Sequence, residues 1–137
     1  MGIWKLFRRQ PAGNPEADRG APFVISLKGE LYSDPTGRAT DLALAGGAKE
    51  VLGAGRWIVA RGHVLVVTNE SPTYRPSLAQ MQTVITRLAE MGMALGGDGK
   101  GVLVIVYAEI GEDGPGTNGK RYRATKTAVG IELIPEA

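Results

Sequence analysis

The run Val102-Leu103-Val104-Ile105-Val106-Tyr107 contains no charged or amide position, and it constrains the fold more than any other segment. A strand with one wet face alternates between apolar and polar residues, whereas one without alternation belongs inside a sheet with both faces covered. Burying such a strand requires other strands beside it and an amphipathic layer across them. That layer is legible just upstream. Ser77 and Gln80 form a Ser-x-x-Gln capping box, and Pro76 ends the extended segment before them. Leu78, Met81, Val84, Ile85 and Leu88 then recur at helical spacing as far as Gly92, a helix terminator.

The other strands follow from shorter signals. Phe23, Ile25, Leu27 and Leu31 share one parity, which predicts a half-buried strand from Phe23 to Tyr32 with a bulge at Gly29. Asp34-Pro35-Thr36-Gly37 reads as a reversing turn. Asp41 to Val51 is weakly helical or irregular around Gly46-Gly47 and receives no assignment. Arg56 to Ala60 and His63 to Thr68 flank Arg61-Gly62 as a hairpin. Glu109 to Gly119 reads as a glycine-rich acidic loop leading to a long β segment, Lys120 to Ile134. In that segment Arg121 and Arg123 share a parity with Val129, Ile131 and Leu133, so a bulge or bend near Lys126 to Ala128 is expected to switch the phase. The expectation is the α+β class: a small, mostly antiparallel sheet of about six strands with one principal helix packed on it. A single domain over 23–137 is expected, preceded by an arm and linker over 1–22.

The arm carries the charge. Lys5, Arg8, Arg9 and Arg19 against Glu16 and Asp18 account for the whole formal net charge of +2, which leaves the body neutral. A neutral body cannot neutralise a run of phosphates, so nucleic acid is not an expected partner. Ile3, Trp4, Leu6 and Phe7 lie at near-helical spacing beside Lys5, Arg8 and Arg9, a short basic amphipathic element. It suits a partner groove, a second copy of the chain, a membrane surface, or an apolar patch on its own domain. The arm is too short to span a bilayer and lacks a secretory apolar region, so a cytoplasmic protein or a component of a larger assembly is expected. The prolines and glycines from Gln10 to Pro22 read as a linker.

Inventory removes many chemistries. With no cysteine and one histidine, disulfides, thiol nucleophiles and Cys/His zinc sites are excluded. His63 falls in a hairpin turn with no Gly-x-Ser-x-Gly elbow anywhere in the chain, so a serine triad is not expected. Gly96-Gly97-Asp98-Gly99-Lys100-Gly101 follows a helix and precedes a strand, the reverse of a phosphate loop, and reads as a connector. Glu109, Glu112 and Asp113 lack the EF-hand spacing and read as a solvated loop. No metal and no cofactor is expected. Lys120, Arg121, Arg123 and Lys126 around Tyr122 read as a charged strand protected from edge-to-edge pairing.

Phe23-Val24-Ile25-Ser26, Leu31-Tyr32, Leu44-Ala45-Gly46-Gly47-Ala48, Ala54-Gly55-Arg56, Val59-Ala60-Arg61-Gly62-His63-Val64 and Ser71-Pro72-Thr73-Tyr74-Arg75-Pro76 occur in that order. In this order Phe23 to Met91 resembles a conserved region of plant IQ-motif-containing calmodulin-binding proteins that is also found in bacterial proteins. The resemblance implies a shared scaffold. Where that family has a His-His-Ser-Ser run, this chain has Ala39-Thr40-Asp41-Leu42. Where the family has Ser-Gly-His-Tyr-Arg-Pro, the chain has Ser71-Pro72-Thr73-Tyr74-Arg75-Pro76. The motif histidines, the groups that exchange protons near neutral pH, are absent. The family's calmodulin binding belongs to an IQ motif outside this region, and this chain has no such motif, so calmodulin is not an implied partner.

Two functions follow as expectations. The first is a non-catalytic binding or structural protein, part of an assembly, that docks on a protein partner or a second copy through Ile3, Trp4, Phe7, Arg8 and Arg9. The alternative is an enzyme or toxin-like effector in which Asp41, Ser71, Tyr74 and Arg75 converge on a nucleotide-like or other anionic ligand, with Arg75 supplying a charge-assisted contact.

Overall fold

A computed structural model describes residues 20–97, 99–111, 114–116 and 118–136. The fold is mixed α+β and mainly sheet, with ten strands and two helices among the described residues. The strands are β1 (Ala21–Ile25), β2 (Leu31–Ser33), β3 (Gly53–Ala60), β4 (His63–Thr68), β5 (Ala94–Leu95), β6 (Leu103–Tyr107), β7 (Ile110–Gly111), β8 (Gly114–Pro115), β9 (Gly119–Thr127) and β10 (Gly130–Pro135). The helices are α1 (Asp41–Leu44) and α2 (Leu78–Glu90). The main sheet has eight strands, in the order β10-β9-β6-β4-β3-β1-β2 with β5 paired to β4, and β7-β8 form a separate small hairpin. About six strands were expected. The count rises because two segments that read as single strands are each hairpins and because Ala94–Leu95 adds β5 beside β4.

The first is Phe23 to Tyr32. β1 is buried along its whole length rather than alternating, and Ser26 to Glu30 reverse the chain, with Gly29 N donating to Ser26 O at 2.8 Å. Gly29, at φ 82°, is therefore a turn residue and not a bulge, and Leu27 is 64 % exposed. β1 also starts at Ala21, inside the segment read as linker. The second is Lys120 to Ile134, where Ala128-Val129 form a two-residue turn with Thr127 opposite Gly130. The phase switch is this reversal, not a bend in one strand. Arg121 and Arg123 face the same side as Ile105 and Leu103, whereas Ile131 and Leu133 join the core edge. Neither Ala128 nor Val129 carries a turn preference, which is why the sequence hid the reversal.

The helix forms with the expected cap and apolar face, except that Leu78, in its first turn, is exposed. Ser77 caps α2, with Gln80 N donating to Ser77 Oγ and Ser77 N donating to Gln80 Oε1. Met81, Val84, Ile85 and Leu88 are fully buried, and Gly92 ends the helix at φ 79°. α2 connects β4 to β6, which are parallel, and lies across the sheet face formed by Phe23, Ile25, Trp57, Val67, Val102 and Val104. Phe23 and Trp57 stack with centroids 5.0 Å apart, and the indole nitrogen donates to Ser33 Oγ. Gly53 is required beneath α2, because a Cβ there would collide with Val84 Cγ2.

The run that anchored the sequence reading is interior, with β4 on one side and β9 on the other. On the α2 side Val102 and Val104 are buried and Val106 half-buried; on the other face Leu103 is buried but Ile105 and Tyr107 are half-buried, so that face is only partly covered. The Arg61-Gly62 hairpin forms with both residues at positive φ, 53° and 80°, the turn that suits twisted strands. The segment left unassigned contains α1, a single turn capped by Thr40, whose hydroxyl accepts from Ala43 N.

Candidate functional site

Because β4 and β6 are parallel, their carboxyl ends emerge at the same end of the sheet, and the amino terminus of α2 returns to that end. The segments that follow, 69–77 and 108–111, face each other across a cleft. Asn69 ties the first to the end of β6. Its Nδ2 donates to Pro76 O and to Tyr107 O, both at 2.9 Å, and its Oδ1 accepts from Tyr107 N at 2.8 Å. At 2 % exposure it is a buried amide with every side-chain atom committed. Between the loops is a cleft of about 620 Å³ lined by Asn69, Arg75, Ser77, Tyr107, Glu109 and Ile110, with Pro76 and Val106 adding apolar wall.

Asp41 is the acceptor at the centre of a second network. Oδ2 accepts from Ser71 Oγ at 2.6 Å and from Thr73 N at 3.0 Å. Oδ1 accepts from Thr73 Oγ1 and from Leu42 N, both at 2.7 Å. Burial pushes this carboxyl up, but the hydrogen bonds from Ser71, Thr73 and Leu42 outweigh it and hold Asp41 below the usual carboxylate range. Ser71 is fully buried and its hydroxyl also accepts from Tyr74 N at 3.2 Å. The Tyr74 hydroxyl donates to Ala48 O. Burial, and then the negative charge of Asp41, raise the Tyr74 phenol above its ordinary value. The network ties α1 and the stretch after it to the loop that follows β4.

Asp41, Ser71 and Tyr74 are thus brought together, and Arg75 is turned away from them. Arg75 sits at φ 44°, its amide donates to Ser71 O at 2.8 Å and its Nε to Pro72 O at 3.0 Å, and its side chain is exposed on the cleft. Of the four residues, only Arg75 lines the cleft. The sequence reading missed Thr73 and Asn69. Thr73 was recoverable in part, since a Ser-x-Thr run beside an acid offers two hydroxyl donors; Asn69, in a loop, carries the same signal as any turn asparagine.

The remaining polar candidates are engaged elsewhere. His63 Nδ1 lies 2.9 Å from Gly96 O, fixing the start of β4 to the connector. Arg123 pairs with Glu136 at 2.9 Å and donates to Gly101 O, while Arg121 approaches Glu136 at 3.8 Å. Glu136 is held below its ordinary value mainly by the Arg123 hydrogen bond. No group of three or more potential metal ligands occurs among the described residues, and no helix among them is long and apolar enough to cross a membrane. Ile3, Trp4, Phe7, Arg8 and Arg9, together with Glu112 and Asp113, lie outside the described residues.

Fold and loops together define a mixed sheet crossed by one helix, with a cleft at the carboxyl ends of its parallel pair. No protein-family model, curated protein or solved structure matches the chain.

Proposed function

We propose that the protein is a non-catalytic binding or assembly domain that docks through its amino-terminal arm, on the scaffold that the resemblance of Phe23–Met91 to the IQ-motif protein region implies. The observation that carries this reading is the fate of the polar motif. Ser71 is fully buried against a carboxylate whose oxygens are already occupied and the Tyr74 hydroxyl is given to Ala48 O, so the two hydroxyl residues that match the family's motif brace a loop. His63, the chain's one imidazole, is bonded to the backbone at the other end of β4.

The root of the arm supports docking. Arg56 Nη2 holds Gly20 O at 2.6 Å, so Gly20, the first described residue, lies beside β3. There the sheet face away from α2 bears Ile58, Val66 and Ile105, half-buried around a shallow groove of about 290 Å³. The partner is a protein surface, either another copy or a different chain, engaged by Ile3, Trp4 and Phe7 with Arg8 and Arg9 at the rim. Light scattering and chemical crosslinking of the full chain, compared with an Ile3→Glu, Trp4→Glu, Phe7→Glu variant, test it. Assembly in the wild type that is lost in the variant is the expected result. A monomer in both, with identical crosslinking to its own copies and to added partners, removes the proposal's basis.

A further inference from the structure

We propose that the cleft beside Arg75 is a binding site for a compact organic molecule with one oxyanionic group, a carboxylate or a singly charged phosphate ester. The proposal does not depend on the arm.

Size and place agree with a ligand site. About 620 Å³ lies within the range of small-molecule pockets, roughly 300–1,000 Å³. The cleft also opens beyond the carboxyl ends of adjacent parallel strands, where open sheets with a crossover helix form crevices that take ligands. Its floor is held in advance. Asn69 fixes Pro76 on the loop after β4 to Tyr107 at the end of β6, so closing the walls on a ligand costs little ordering.

The charge is placed for an anion. Arg75 Nε is anchored on Pro72 O, which orients the guanidinium, while Nη1 and Nη2 have no hydrogen-bond partner among the described residues. Those two nitrogens are the fork that matches a carboxylate or phosphate edge. The amino terminus of α2 at Ser77 adds partial positive charge to the same cleft.

Arg75 also occupies a left-handed backbone position, φ 44°, that glycine would fill with less strain. Its one side-chain bond is local, so packing gives no reason for an arginine there. Glu109, in the same cleft, disfavours a second negative charge, and Pro76, Val106 and Ile110 offer an apolar wall to the body of the ligand.

The test is amide NMR of the full chain titrated with benzoate, phenyl phosphate and neutral benzamide. Benzoate is expected to move the amides of Asn69, Arg75, Ser77 and Tyr107 to Ile110, and benzamide is expected not to. Arg75→Gly relieves the backbone and keeps the fold. It should weaken benzoate about tenfold or more, the loss of one charge-assisted contact, with thermal stability equal to or above wild type. Equal responses to benzoate and benzamide, no response to either anion, or undiminished binding in Arg75→Gly would each overturn the site. Tighter binding of phenyl phosphate than of benzoate at a pH where the ester is doubly charged would overturn the single-charge assignment.

Discussion

Asn69→Ala removes the bridge from the loop after β4 to Tyr107, the last residue of β6, while leaving every strand and helix residue in place. Three hydrogen bonds are lost, to Pro76 O, Tyr107 O and Tyr107 N. At about 1 kcal/mol net for each, with somewhat more for groups left without a partner, the loss is roughly 3 kcal/mol. Water can reach the vacated groups from the cleft, which keeps the figure from the upper end of the range. For a chain of this size roughly 4 °C of Tm accompanies each kcal/mol, so a fall of about 12 °C is expected. Asn69→Asp is the sharper companion. It retains the acceptor for Tyr107 N but turns an oxygen toward two carbonyls, so at neutral pH it should cost at least as much as alanine. Below about pH 4, where the acid can donate one bond again, part of the loss should return. Urea denaturation followed by far-UV circular dichroism measures both. A loss under about 1 kcal/mol for Asn69→Ala with an unchanged m-value, or an aspartate variant as stable as wild type at pH 7, would refute the bridge as the element that holds the cleft together.

Asp41→Asn should lower stability at pH 7. The folded pKa of Asp41 is depressed, so its contribution is complete above the unfolded value of about 3.9 and disappears as pH falls through the folded value. The gap between variant and wild type should therefore close in acid; a gap independent of pH would contradict the network's charge. Gly53→Ala should destabilise by about 1–3 kcal/mol through overpacking against α2. Val84→Ala in the same chain should recover part of that loss, which a double-mutant cycle would read as coupling, and strict additivity would count against the contact.

The elements legible in the sequence are those whose cause is local. The capping box at Ser77 and Gln80, the apolar stripe of α2, the Arg61-Gly62 turn and the interior strand at Leu103–Tyr107 all arise from backbone sterics and periodicity within a few residues. The number of strands was less legible. Ala128-Val129 reverses the chain without turn chemistry, because the pairing of β9 with β10 outweighs local preference. The site was legible only as a set of residues. Asp41 and Ser71 are 30 positions apart and Asn69 and Tyr107 are 38 apart, so their meeting depends on the order of strands in the sheet. Composition alone excluded thiol and disulfide chemistry, since an absent cysteine cannot be supplied by folding. Tertiary structure alone decided that Asp41, Ser71 and Tyr74 brace a loop while Arg75 turns to the cleft. Side chains adjacent in sequence can point to opposite sides of a turn, and only the packing around that turn selects which of them meets solvent.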